Sequence, residues 1–335
     1  MANKIKWGIL SSAKIAETAF VPAIKLAKQA ELKAVASESG KAADTAKRWG
    51  IDTSYDSYKE LLQDPTIDAI YIPLPNSLHK KWLIEAVQAK KHVLVEKPAA
   101  LTSDEVKEMN AAAKENGVVW MEAFMYQFHP QHSQVKKWLG EGEIGEVKLF
   151  RGSFSFSMDV NSGNIRLNSE LGGGSLFDVG CYCVHASRFI FEEEPVQVFG
   201  HANHHPEKKV DLSTTGILTF ENKQAVIDCS FEQANVNRYE VVGTKGSIEV
   251  PYAFRPDGNP NNGLGEVILK DSAGKTVAVE TFDANQYTVQ IDHFSQAILD
   301  NKQPSYTPEQ TILNMTVIES LYQSIDEGKP VSLKN

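Results

Sequence analysis

Apolar and polar positions follow two different rhythms along this chain of 335 residues, with the change near residue 124. In the first third, short and mainly apolar runs stand between segments with helical spacing. Ile5 to Leu10, Leu32 to Ser37, Ile67 to Pro73, His92 to Val95 and Val118 to Glu122 read as buried strands. Helices are predicted over 13–29, 42–49 and 82–89, and from Thr102 to about Asn116. The last opens on a capping box, Thr102-Ser103-Asp104-Glu105, in which the threonine accepts from the third helical N–H while the glutamate reaches back. Buried strands alternating with helices imply a parallel sheet covered on both faces.

Beyond residue 124 the strands become short, alternating and separated by turn residues such as Glu221-Asn222 and Gly243-Thr244-Lys245-Gly246. They run over 196–201, 216–220, 225–231, 239–243, 247–250, 266–270 and 277–281, a pattern of antiparallel hairpins. Helices are predicted over 130–139, 174–191, 289–300 and 308–327, and no strand is assigned between Leu139 and Gly174. Two domains follow, a parallel α/β domain over 1–123 and an α+β domain over 124–335 with one large, mostly antiparallel open sheet.

Composition narrows the function. With 42% apolar residues the chain can bury two cores, and its net charge of −9 argues against a nucleic-acid partner. No segment supplies the roughly 18 uncharged apolar residues of a membrane helix. Met1 to Trp7 runs directly into a strand, leaving no room for a secretory leader. Cys181, Cys183 and Cys229 lack metal-ligand spacing and read as buried thiols of a reducing cytoplasm, and no metal site is expected.

Chemistry enters at the strand ends. Gly8 to Ala16 joins the first strand to the first helix, and Gly8, Ser11 and Ala13 are the small residues a dinucleotide turn requires for backbone approach to pyrophosphate. An ordinary strand-to-helix turn is the competing reading. The second strand ends at Ser37-Glu38, where a carboxylate could accept from the adenosine ribose hydroxyls and repel a 2′-phosphate, favouring NAD over NADP. Lys41 stands close enough in the chain to offset that charge. The third strand leads into a stiff loop, Pro73-Leu74-Pro75-Asn76, followed by His79; the loop would wall the nicotinamide half, while Asn76 could equally be a helix cap and His79 a surface residue.

Glu96-Lys97-Pro98 follows the strand His92 to Val95, so an ionisable amine sits on a stiff turn where open α/β sheets hold ligands. In the second domain, Gly172 to Gly174 precede a helix on which Asp178 and Tyr182 stand at i and i+4, sharing a face. An amine, a carboxylate and a phenol make a proton-transfer set, and a lysine desolvated between domains can shuttle a proton near neutrality. The competing structural reading makes Asp178 a cap and Tyr182 a core residue.

On these elements (Gly8 to Ala13, Pro73 to His79, Glu96-Lys97-Pro98 and Gly172 to Tyr182) the whole chain resembles the Gfo/Idh/MocA oxidoreductase family. Met121 to Pro130, Asn164 to Leu167 and the Asp178-x-Gly180-x-Tyr182 form are most similar to its dihydrodiol dehydrogenase and D-xylose dehydrogenase branch. The resemblance implies an N-terminal Rossmann domain that binds NAD or NADP through Gly8, Ser11, Ser12, Ala13, Lys14, Ile15, Ser37, Glu38, Pro73, Leu74, Asn76, His79, Glu96 and Lys97, with Arg166 and Tyr287 bordering the cofactor. It further implies a cis Lys97–Pro98 bond, Tyr182 as acid/base with Asp178 as partner, and Tyr126, Phe128 and Asn164 on the substrate side. Gln127 stands where the branch often has arginine, which leaves substrate identity open, and Glu38 stands where NADP users often carry arginine.

The expected enzyme is a cytoplasmic NAD(P)-dependent dehydrogenase or reductase acting on a sugar, polyol or cyclic diol, a homodimer or homotetramer through its C-terminal sheet. An NAD-dependent glycosidase using transient oxidation and a non-catalytic regulator are the alternatives.

Overall fold

A computed structural model describes residues 4–333; the first three residues, where the absence of a leader was partly read, and the last two lie outside the described residues. The chain forms two compact units. One holds the described residues through Phe128 together with Asn285–Ile312, and the other holds His129–Ala284 together with the described residues from Leu313 onward.

The sheet of the first unit is parallel throughout. Its strands are β1 (Ile5–Leu10), β2 (Ala30–Ala36), β3 (Thr53–Tyr55), β4 (Ala69–Ile72), β5 (His92–Val95) and β6 (Trp120–Glu122), in the order β3-β2-β1-β4-β5-β6. Strand order therefore reverses between β1 and β4, the topological switch point where such sheets take ligands at their carboxyl edge. β4 and most of β1 and β5 are buried, as continuous apolar runs require when helices cover both faces. The helices are α1 (Val21–Leu26), α2 (Ala42–Trp49), α3 (Tyr58–Gln63), α4 (Asn76–Gln88) and α5 (Ser103–Asn116).

Three local differences from the sequence reading have local causes. The predicted helix over 13–29 is a π-helical turn, Ala16–Phe20, followed by α1, whose second residue, Pro22, cannot donate into the preceding ladder. β3 and α3 were not predicted; each is too short to show a period. At α5, Thr102 Oγ1 accepts from Glu105 N at 3.1 Å, and Glu105 Oε2 accepts from Leu101 N at 3.0 Å, one residue earlier than a standard capping box.

The second unit contains α6 (Pro130–Gly140), β7 (Val147–Ser157), α7 (Cys181–Phe191), β8 (Gln197–His204), β9 (Asp211–Thr219), β10 (Gln224–Ser230), β11 (Glu232–Gly243), β12 (Gly246–Val250), β13 (Gly265–Asp271), β14 (Thr276–Phe282) and β15 (Val331–Ser332). The nine strands lie in the order β14-β13-β12-β11-β7-β10-β9-β8-β15, and only the β7–β10 pair is parallel. Strand β7, absent from the sequence reading, is central. It alternates serine with phenylalanine over 153–157, and its β-structure is completed by long-range pairing with β10 and β11. One face of this sheet packs α7, with the Tyr182 ring edge-on to Phe154 at 5.2 Å; on the other, Phe199, Ile217 and Val226 are adjacent in register and exposed.

The helix predicted over 289–300 is α8 (Gln286–Leu299), and α9 (Pro308–Glu327) matches its predicted span. α8 packs within the first unit, where Trp7 Nε1 donates to Ser295 Oγ at 3.2 Å and Asp292 accepts from Lys28 N and Gln29 N. An apolar helix face shows that a partner exists without naming it, so the sequence division had counted this helix with residues 124–335. Among the described residues no helix is long and apolar enough to cross a membrane, and no group of three His, Cys, Asp or Glu could hold a metal ion.

Candidate functional site

One group of expected residues lies at the carboxyl edge of the parallel sheet, at its switch point. Gly8 lies inside β1, where a Cβ would meet Leu61 Cδ2 at 2.7 Å, so this glycine serves the packing of α3 on the sheet. The turn itself begins at Ser11, whose φ of +105° is a conformation natural to glycine. The serine side chain accounts for itself there: Oγ donates to the Pro73 carbonyl at 3.4 Å and accepts from Ala13 N at 3.2 Å. One hydroxyl thus links the turns after β1 and β4. Helical structure starts at Lys14, so the N–H groups of Ala13, Lys14 and Ile15 belong to a helix N-terminus, the backbone arrangement that binds phosphate. Ser12 and Ala13 are part-buried and Lys14 is exposed.

At the end of β2, Ser37 is buried with its hydroxyl 2.9 Å from Ser39 Oγ, while Glu38 is exposed. The glutamate is close enough to Tyr58 to help burial raise that phenol's pKa.

The Glu96-Lys97-Pro98 turn leaves β5 through a cis Lys97–Pro98 peptide and is held on three sides by buried polar groups. Tyr71, 1% exposed on β4, donates its hydroxyl to Glu96 Oε1 at 2.5 Å. Glu122, 1% exposed at the end of β6, accepts from Ala99 N at 2.9 Å and from Tyr306 OH at 3.3 Å. His79 is fully buried, with Nδ1 2.9 Å from the Pro98 carbonyl and Nε2 2.8 Å from the Leu74 carbonyl. Burial, with help from nearby Lys97, outweighs the carbonyls and pulls its pKa down to about 4. The ring is therefore neutral at pH 7 and carries one N–H, donating to one carbonyl at a time.

His79 is thus neither a surface residue nor a side chain open to a ligand; it bridges the Pro73–Pro75 loop to the turn. Asn76 is the first residue of α4 rather than its cap, which is Pro75. Tyr71 and Glu122 went unnoticed in the sequence because strand apolarity explains one and a strand end the other.

A second group of expected residues lies in the second unit. Leu176–Gly180 forms a π-helical turn that runs into α7, and the two carry Asp178 and Tyr182. Arg166 Nε donates to Asp178 Oδ2 at 2.6 Å, and Asp178 foremost, with Tyr182, raises the guanidinium's pKa. Arg166, Asp178 and Tyr182 are therefore one cluster. Asn164 caps the short turn bearing Arg166, its Oδ1 accepting from Arg166 N at 3.0 Å. Gly173 allows that turn to close, since a Cβ there would lie 2.5 Å from the Arg166 carbonyl oxygen.

Asp211, which the sequence reading missed, fastens the start of this helical segment. Its carboxylate accepts from Ser175 Oγ (2.6 Å), Leu176 N (2.7 Å), Thr214 Oγ1 (2.9 Å) and Tyr322 OH (3.0 Å). Gly174 takes φ +121° beside it, where a Cβ would fall 2.3 Å from Asp211 Oδ1.

The remaining expected residues divide by exposure. Tyr126 is fully buried with its ring edge-on to Phe124, a core position. Phe128 is part-buried against His293, Asn164 is exposed, and Tyr287 is buried in the first turn of α8.

Comparison with known proteins places both parts of the chain in one family. Residues 5–124 match the oxidoreductase family with an NAD-binding Rossmann fold, and residues 132–249 match the GFO/IDH/MocA C-terminal domain. A D-xylose 1-dehydrogenase (NADP(+)) from Haloferax volcanii is 34% identical over 330 residues, 98% of this chain and 99% of that one. A trans-1,2-dihydrobenzene-1,2-diol dehydrogenase from Xenopus laevis is 35% identical over 251 residues, 73% of this chain and 75% of that one. Among solved structures, an aldose-aldose oxidoreductase from Caulobacter crescentus complexed with glycerol superposes with a TM-score of 0.89 at 28% identity, covering 99% of this chain and 100% of that chain. The chain belongs to the Gfo/Idh/MocA oxidoreductases, as an NAD(P)-binding enzyme of that family.

Proposed function

We propose that this enzyme oxidises a sugar, polyol or cyclic diol at a carbinol carbon, or reduces the corresponding carbonyl. The observation that carries the reading is the Lys97 turn, braced by Tyr71, His79 and Glu122 at the carboxyl edge of a nucleotide-type sheet. The sugar and diol dehydrogenases among its relatives support the substrate class.

The residues fit a dinucleotide at an observable point, the glycine-like Ser11 turn leading into a helix N-terminus. When bound, nicotinamide supplies a hydride acceptor or donor. The chain's own part is binding and proton transfer. The N–H groups around Ala13 to Ile15 hold the pyrophosphate, and Glu38 accepts from the adenosine ribose and favours NAD, because a 2′-phosphate would face its carboxylate. Glu96 accepts from the nicotinamide ribose. Tyr182 moves the hydroxyl proton with Lys97 assisting, while Asp178 holds Arg166 and so sets the charge around the phenol. Asn164 and Phe128 contact substrate. The enzyme works in the cytoplasm and associates through the row of Phe199, Ile217 and Val226 on the second sheet.

The test is absorbance at 340 nm over a panel of aldoses, inositols, anhydro-sugars and diols, with both nucleotides. An accepted substrate should lose roughly two to four decades of kcat in Lys97→Ala, the scale of a lost general acid/base. Unchanged turnover would remove Lys97 from the mechanism. Bond cleavage without NADH accumulation would reassign the enzyme as a glycosidase.

A further inference from the structure

Glu96 is a flexible carboxylate on a turn, yet its position is determined from behind. Tyr71 sits on β4, paired in register with Ile9 of β1 on one side and Leu94 of β5 on the other. Its ring lies flat on Phe20, with centroids 4.0 Å apart and planes within 7°. Phe20 closes the π-helical turn Ala16–Phe20, so the first helix itself presents the stacking surface. With the ring clamped between strand and phenylalanine, the hydroxyl has little freedom, and it meets Glu96 Oε1 at 2.5 Å. The other carboxylate oxygen accepts from Lys97 N at 3.3 Å, which ties the same side chain to the turn.

A phenylalanine would serve a strand buried this deeply equally well as packing. A buried hydroxyl is retained where it has a partner to satisfy. Here that partner is the carboxylate that, in the function proposed above, faces the nicotinamide ribose.

We propose that Tyr71 is a positioning residue for nucleotide binding: its phenol, oriented by the Phe20 stack, aims Glu96 at the ribose hydroxyls. This rests on the proposed role of Glu96, and the test separates the two. NADH and NADPH are titrated by fluorescence into the intact wild-type enzyme, Tyr71→Phe, Glu96→Ala and the double variant. Tyr71→Phe keeps the stack and removes only the hydroxyl. A hydrogen bond to a charged group has a net worth equivalent to about tenfold in affinity or somewhat more, so Kd should rise about tenfold. Glu96→Ala should weaken binding at least as much, and the double variant should bind no worse than Glu96→Ala. In turnover, KM for the nucleotide should rise by the same factor while kcat stays within about threefold.

Wild-type affinity in Tyr71→Phe beside weak binding in Glu96→Ala would overturn the positioning role. So would losses that add in the double variant, because the hydroxyl would then act independently of the carboxylate. Wild-type affinity in Glu96→Ala would instead remove Glu96 from the ribose, and the inference with it.

Discussion

Acid should destabilise this protein through His79 in a way one substitution can isolate. The imidazole is fully buried and its pKa falls to about 4, against an ordinary value of 6.5. A depressed histidine means the unfolded chain binds the proton first. Its contribution to stability is therefore complete above about pH 6.5 and is lost as pH falls from there toward 4. At about 1.4 kcal/mol per pKa unit, the full contribution is about 3 kcal/mol, and about 2 kcal/mol of it is gone by pH 5.

The comparison is wild type against His79→Gln, unfolded by urea at pH 7 and pH 5. His129 and His132, also buried and depressed to about 4 and about 3, are present in both proteins and cancel in the difference. Tryptophan fluorescence suits the measurement, because Trp7, Trp49, Trp82 and Trp120 belong to the unit that contains His79 and only Trp138 to the other. On acidification the wild type should lose about 2 kcal/mol more than the variant. Equal losses would mean the ring is not held neutral between the Leu74 and Pro98 carbonyls, and the bracing role given to it would fail.

Two further substitutions test the Arg166–Asp178 cluster of the second unit. Gly173→Ala sets a methyl 2.5 Å from the main-chain oxygen of Arg166, which cannot move as a side-chain tip would. It should cost about 1–3 kcal/mol of stability and disrupt the Arg166–Asp178 pair, so thermal unfolding should come earlier and kcat should fall; a wild-type melt would show that the Arg166 turn yields freely. Asp211→Ala leaves the buried Leu176 N–H without its acceptor, along with three hydroxyls, and should cost about 3 kcal/mol or more in denaturant unfolding. A loss under about 1 kcal/mol would show that those donors find other partners.

Much of this protein was legible from local pattern. Mainly apolar runs identify β1, β4 and β5 as strands of a covered parallel sheet, since burial on both faces leaves few polar positions, such as Lys6 and His92 near the strand starts. Thr102 and Glu105 announce the start of α5, and Lys97 can be placed at a strand end because Pro98 cannot continue a ladder. That Asp178 and Tyr182 lie on one continuous helical segment also follows from local pattern. Each depends on residues within a few positions of one another, and that is the range over which period, capping and turn chemistry operate.

Tertiary structure decided what depends on partners distant in the chain. Serine alternates with phenylalanine over 153–157 of β7, a period-two signal passed over in the sequence, but its central place comes only from pairing with β10 and β11. α8 joins the first unit because Trp7 and Phe294 are neighbours across nearly the whole sequence. His79 resembles a solvated helix residue until burial sets both its nitrogens against carbonyls, and Tyr71 resembles core until its hydroxyl meets a glutamate 25 positions away. Solvation and local hydrogen bonding determine which elements form. The partner of a buried polar atom is determined only when separate elements meet, because that is when water is removed and a partner becomes obligatory.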